Sequence, residues 1–225
     1  MKKYTDAHIG LIDRTHYPCT LAASWDWNRV ICVDYGDIFY TEKALEAIQL
    51  WRHEPLFSRF YHQSGIINID NTELGKEILK NYEKLGVEVD AEMVGPERCK
   101  KMYGSFYDDT DFSGVKEVLV NRDSGWAEAT KALTAYDDAA IEAGLKYTAV
   151  DLDVLSFGTD GRCTGVLMKG RENIIADRVI LATDAGTARL IADSAPNRKE
   201  LQVDGRLAAG AVVTGIVNLD PKNGQ

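Results

Sequence analysis

Apolar residues in this chain fall into short alternating runs and a few helical stripes, with turn residues between them. Residues 9–12 form a first short apolar strand that closes on Asp13. A connection through Pro18 and Ala23 leads to Ser-Trp-Asp-Trp-Asn-Arg at 24–29 and then to the apolar run 30–33. Residues 41–51 predict a helix capped by Thr41, with Ala44, Ile48 and Trp51 on one face, Leu45 beside them, and Pro55 as the stop. Leu56, Phe57 and Phe60 predict a short aromatic turn that packs in the core. Residues 65–70 alternate like a half-buried strand. Asn71 or Thr72 then caps a helix that runs to Lys84, buries Ile78 and Tyr82, and ends at Gly86. Pro96 opens another short helix, and residues 104–116 read as a surface loop.

In the second half, residues 118–120 predict a strand. Ser124 then caps the clearest helix, 125–143, with Trp126, Ala129, Leu133, Tyr136 and Ala140 as its stripe and Gly144 as its end. A strand at 146–150 precedes a hairpin, 153–157 and 164–169, whose turn is Thr159-Asp-Gly-Arg162. Residues 174–176 lead into 179–182, an apolar strand of the fully buried kind. A turn at 184–186, a short helix at 187–193 and a last apolar run at 208–219 follow. Alternating strands and helices with a hairpin predict an α/β sheet carrying a small antiparallel layer.

The 225 residues suit one large domain or two small ones, and 45% hydrophobic content is that of a chain with a core. The net charge of -9 argues against nucleic acid or an anionic membrane as partner. Cys19, Cys32, Cys99 and Cys163 are widely spaced, unlike zinc ligands or a disulfide framework. With no apolar leader or run of membrane-spanning length, the expectation is a soluble intracellular protein, cytoplasmic or peroxisomal. His8, His16, His53 and His62 show no metal spacing and no partner nucleophile, and Asp137 and Asp138 read as a solvated face.

A strand that closes on an acid is one mark of a dinucleotide-binding unit, where the carboxylate accepts ribose hydroxyls. Five stretches, 9–13, 23–30, 44–65, 124–132 and 161–185, together resemble in order and spacing the FAD-dependent amine oxidases of the glutathione-reductase-like fold. The sarcosine, pipecolate, saccharopine and fructosyl amino acid oxidases are the members most like them. The resemblance implies an FAD/NAD(P)-binding Rossmann-like sheet with a partial α+β substrate domain and the first βα unit missing. It places residues 1–35 and 115–195 in the FAD-binding part and 36–114 with 196–225 in the substrate part. Asp13, followed by Arg14, matches the acid on the adenosine ribose. Ser24, Trp25, Asp26, Asn28 and Arg29 match the segment under the flavin ring. There Arg29 would be the cation that stabilises negative charge on reduced flavin or superoxide. Leu152 matches the position whose backbone meets the adenine, and Ala182, Thr183 and Ala185 match a turn where bare backbone approaches the cofactor.

Three features depart from the family pattern. No G-x-G-x-x-G occurs, so these residues offer no phosphate-cradling loop. Asp184 stands where the family has Gly, and its carboxylate would crowd and repel the cofactor's phosphates. The family's second half, with most of the substrate pocket, has no counterpart, so a chain incomplete at both ends is expected. Two readings follow. One is an FAD-dependent oxidoreductase that oxidises a C–N bond of an amino acid or secondary amine, with O2 as reoxidant; a setting in fungal-type secondary metabolism is a further expectation. The other is a flavin-free remnant of the fold, acting as a non-redox enzyme, binding or accessory protein. A homodimer or a complementing chain would cover its exposed sheet edge.

Overall fold

The computed structural model describes residues 6–69, 72–104, 106–170, 172–203, 205–208 and 210, and among them are seventeen helices and strands. Strand β1 (Gly10–Asp13) and β2 (Arg29–Ile31) precede helices α1 (Ile38–His53) and α2 (Pro55–Ser58). Next come β3 (Tyr61–His62), β4 (Ile66–Asn68), α3 (Leu74–Leu85), β5 (Ala91–Val94) and α4 (Pro96–Met102). The second half holds β6 (Val118–Asn121), β7 (Gly125–Ala127), α5 (Ala129–Glu142), β8 (Lys146–Ala149), β9 (Leu152–Phe157), β10 (Cys163–Met168), β11 (Ile174–Ile175) and α6 (Thr187–Ser194). The chain packs as two units, Met1–Leu11 with Thr15–Tyr147 and Ile12–Arg14 with Thr148–Gln225.

The first unit contains two antiparallel sheets of three strands, β2–β7–β3 and β4–β6–β5. Strand β6 is buried along its whole length, because strands flank it on both sides and helices cover it. Val33, Ile48, Ile78, Tyr82 and Leu119 form one core cluster, and Val94, Cys99, Val118 and Val120 form another. Inside the first lies a polar knot. The Tyr82 hydroxyl donates to Asp34 Oδ1 at 2.7 Å, and Asn121 Nδ2 donates to the same oxygen at 2.5 Å. Burial and the Asp34 carboxylate push the Tyr82 phenol far above its ordinary value, so it stays a donor.

In the second unit β9, β10 and β11 form an antiparallel meander, and α6 packs against β9 with Ser194 Oγ accepting from Leu155 N at 2.8 Å. Pair β1–β8 is parallel: Ile9 O accepts from Lys146 N and Asp13 O from Val150 N, so both strands advance together. The mixed α/β class expected from the sequence is therefore observed.

Several expectations change. Thr41 is not the cap of α1; Asp37 is, its carboxylate accepting from Phe39 N at 2.8 Å, while buried Thr41 donates to Tyr35 O at 2.9 Å. The aromatic turn after Pro55 is the short helix α2. Ser124 caps nothing: residues 125–127 are the strand β7, and α5 begins four residues later than expected, at Ala129 after Glu128. Its stripe shifts accordingly, with Ala132 and Asp137 buried and Tyr136 exposed. Asp137 is thus no solvated residue. The reason is tertiary: β2 and β3 both offer ladder bonds to 125–127, and two strand partners outweigh helix propensity. Residues 179–182 form no strand, and Ile180 is 91% exposed. A fully buried strand needs neighbours on both sides, and none pairs with this run among the described residues. The last run, 208–219, lies almost wholly outside the described residues.

Candidate functional site

In the second unit, Asp13 ends the parallel strand β1, and the carboxyl end of such a strand is where dinucleotide folds place their ligand. Its Oδ1 accepts from Arg14 N at 2.7 Å, and Oδ2 accepts nothing among the described residues. The Asp13 carbonyl holds Val150 N at 2.8 Å, which brings the 150–152 turn alongside. Arg14 Nε reaches Asp151 Oδ1 at 3.7 Å, and Leu152 opens β9. Asp13, Arg14 and Leu152 are therefore neighbours.

Ala182, Thr183 and Ala185 are exposed and precede α6. Thr183 O accepts from Gly186 N at 2.9 Å, and the Thr183 and Thr187 hydroxyls meet at 2.8 Å. Asp184 has φ 46, so it alone among the described non-glycine residues occupies the left-handed region. That region favours glycine because a Cβ crowds the backbone there.

In the first unit, residues 24–29 are locked by their own polar groups. Asp26 Oδ1 accepts from Trp27 N at 2.8 Å, and its carbonyl accepts from Thr130 N and Oγ1 at 3.1 and 2.6 Å. Trp25 N donates to Ala22 O at 3.0 Å. Ser24 and Asn28 make no side-chain bond within the described residues. Arg29 folds back: its guanidinium donates to Ala23 O and lies 3.5 Å from Asp26 Oδ2, with 47% of the side chain exposed.

The sheet that carries Arg29 adds residues the sequence reading passed over. Arg29, Ala127 and Tyr61 are in register, as are Val30, Trp126 and His62. Side chains alternate across a sheet, so these rows face opposite ways. Ile31 and Tyr61 pack on the core, which leaves Val30, Trp126 and His62 on the outer face, where Val30 is 64% exposed. The His62 ring stacks on Trp126 at 4.2 Å and 24°. His62 Nε2 lies 3.2 Å from Glu128 Oε1. Lys131 also pairs with Glu128, and Lys131 followed by His62 holds that carboxyl below the usual range. Gly125 permits the arrangement, since a Cβ there would fall on the carbonyl of His62. Read as alternation, Trp126 and Glu128 point one way and Ala127 the other; the helical reading of 125–143 hid that signal.

Among the described residues no cluster of three or more His, Cys, Asp or Glu could hold a metal ion, and no helix is long and apolar enough to cross a membrane. For an adenine dinucleotide, the residues present fit at the ribose, where Asp13 offers a free carboxylate oxygen. The pyrophosphate donors of a G-x-G-x-x-G loop are not among these 225 residues.

A sequence-family model described as DAO, FAD dependent oxidoreductase, matches residues 5–214. L-saccharopine oxidase of Schizosaccharomyces pombe is 24% identical over 152 residues, which is 65% of this chain and 35% of that protein. A modified fructosyl peptide oxidase from Aspergillus nidulans superposes with a TM-score of 0.66 at 25% identity, covering 80% of this chain and 44% of that one. L-proline dehydrogenase from P. horikoshii superposes with a TM-score of 0.69 at 20% identity, covering 85% and 50%, and that likeness is one of fold. The chain thus spans half or less of the length of these relatives.

Proposed function

The chain belongs to the DAO family of FAD dependent oxidoreductases, and from that premise we propose that it oxidises the C–N bond of an amino acid or secondary amine. The observation that carries this reading is Asp13 at the carboxyl end of a parallel strand, with Oδ2 free and Leu152 beside it. Asp13 would hold the adenosine ribose, with Arg14 and the Leu152 backbone flanking it. Residues 182–185 would approach the cofactor by backbone. Ser24, Trp25, Asp26 and Asn28 would line the flavin, and Arg29 would supply positive charge there. FAD held by these residues would supply hydride-accepting chemistry for the carbon beside the amine nitrogen, with O2 as reoxidant and peroxide as product. The names of the relatives, L-saccharopine oxidase and fructosyl peptide oxidase, support a small amino-acid-derived amine as substrate.

Functionally, residues 1–35 and 115–195 serve the FAD side and 36–114 with 196–225 the substrate side, a division distinct from the packing units. Four free thiols support an intracellular compartment, cytoplasmic or peroxisomal. A homodimer or complementing chain is the partner, supported by Ile175 and Ile180 at 88% and 91% exposure. One observation favours the second reading, a flavin-free protein on this fold: Asp184 puts a carboxylate on a glycine-type turn beside the expected phosphate path. Purification decides between them. A yellow protein that releases peroxide when given N-methylglycine, L-proline or L-saccharopine supports the oxidase. A colourless one that takes up no added FAD supports the flavin-free reading.

A further inference from the structure

The outer face of the β2–β7–β3 sheet holds a histidine, an ionised carboxylate and an exposed apolar surface that the expected cofactor contacts leave unused. Glu128 is a carboxylate whose affinity for a proton is lowered by Lys131 and His62. An ionised carboxylate only accepts, so the hydrogen between it and His62 sits on Nε2. That assignment leaves Nδ1 with its lone pair, and Nδ1 bonds to no described residue. The stack on Trp126 at 4.2 Å keeps the ring in the sheet's outer face, and 43% of the His62 side chain is exposed. Val30 at 64% exposure extends the apolar floor, and the indole attracts cations to its ring face.

We propose that His62 accepts the proton of the amine substrate's ammonium form, on a floor made by Trp126 and Val30, with Glu128 fixing the imidazole. This inference rests on the amine-oxidising reading above and adds to it the group that frees the nitrogen lone pair. An amine at neutral pH is an ammonium ion, and a hydride leaves the neighbouring carbon only after the nitrogen has lost its extra proton. In the step one N–H bond of the ammonium breaks, its electron pair stays on nitrogen, and an N–H bond forms at Nδ1. Charge moves from substrate to imidazole, no electrons are exchanged, and the imidazolium faces Glu128. Among the described residues the charged groups tied to His62 are Glu128, its direct partner, and Lys131, which pairs with the same carboxylate.

The test compares two ligands of similar shape, one with an amine that can give up a proton and one with a thioether that cannot. The full chain is titrated with N-methylglycine and with methylthioacetate, its thioether analogue, between about pH 6 and pH 9, across the histidine range. Wild-type affinity for N-methylglycine is expected to rise with pH through that range. His62→Gln should weaken N-methylglycine about tenfold or more and flatten the rise, leaving methylthioacetate unchanged. Glu128→Gln should weaken N-methylglycine and leave methylthioacetate unchanged, because the imidazolium loses the carboxylate it faces. Equal loss of both ligands in His62→Gln, a wild-type affinity without pH dependence, or no N-methylglycine binding by the wild type overturns the proposal. FAD uptake by the same proteins separates the two failures. Variants that all bind FAD yet show unchanged amine binding remove only this inference; proteins that bind no FAD remove the underlying reading too.

Discussion

The two units of this chain are built to different standards. The first buries Ile78, Val118 and Val120 completely and holds a polar knot at Tyr82, Asp34 and Asn121. Among the described residues, the second has Leu155, Val166 and Ala195 as its buried apolar residues, at 6–8% exposure, and leaves Ile175 and Ile180 almost bare. Apolar area removed from water sets most of a unit's stability, so the first should be rigid and the second loose. The expected functional residues divide between them. Residues 24–29 and the His62–Trp126 stack sit on the rigid unit, while Asp13, Leu152 and 182–185 sit on the thin one. A ligand that binds the folded second unit would therefore contribute a larger share of its stability than it could in the first.

Four perturbations sharpen that contrast. The largest is Ile78→Ala: a fully buried side chain in the first core should cost about 3 kcal/mol, whereas Val166→Ala in the second unit should cost about 1 kcal/mol. Denaturant unfolding of both variants reads the difference, and equal costs would erase it. Gly125→Ala follows, because its Cβ would fall on the His62 carbonyl; the loss should be about 2 kcal/mol or more, with β3 detaching from β7. Hydrogen exchange at the paired residues 61–62 and 125–127 checks it.

Asp184→Gly acts in the opposite direction. Relief of the left-handed conformation at φ 46 should stabilise the second unit by about 1 kcal/mol, seen as a raised melting temperature. The smallest effect is one of pH. Glu128 has its folded pKa depressed, so its contribution is present above the ordinary glutamate value of about 4.3 and is lost as pH falls through the depressed folded value. Lys131→Gln removes the largest cause of the depression and should raise the acid-unfolding midpoint of the first unit slightly.

What could be read from the sequence follows a different divide, between local and long-range signals. Helices α3 and α4 and the β9–β10 hairpin came out because local signals set them: Gly86 at φ 64, Pro96 at the first helical position, and Gly161 at φ 79 in the turn. Strand β7 did not, because its identity depends on β2 and β3, which are distant in sequence. Residues 179–182 misled in reverse: their apolar run is that of a buried strand, but burial is a property of neighbours and not of the run. At the site, the Asp13–Leu152 neighbourhood was legible as spacing from a family resemblance. The His62–Glu128 pair was not, since 66 residues separate its members and neither belongs to a local motif.

The account rests on FAD docking at Asp13, and a titration of the purified full chain with FAD, followed by quenching of flavin fluorescence, tests that most directly. Wild type should bind saturably at one site, and Asp13→Ala should bind about tenfold or more weakly, the loss of hydrogen bonds to a charged acceptor. No saturable binding by the wild type, or equal affinity in the two proteins, would contradict it.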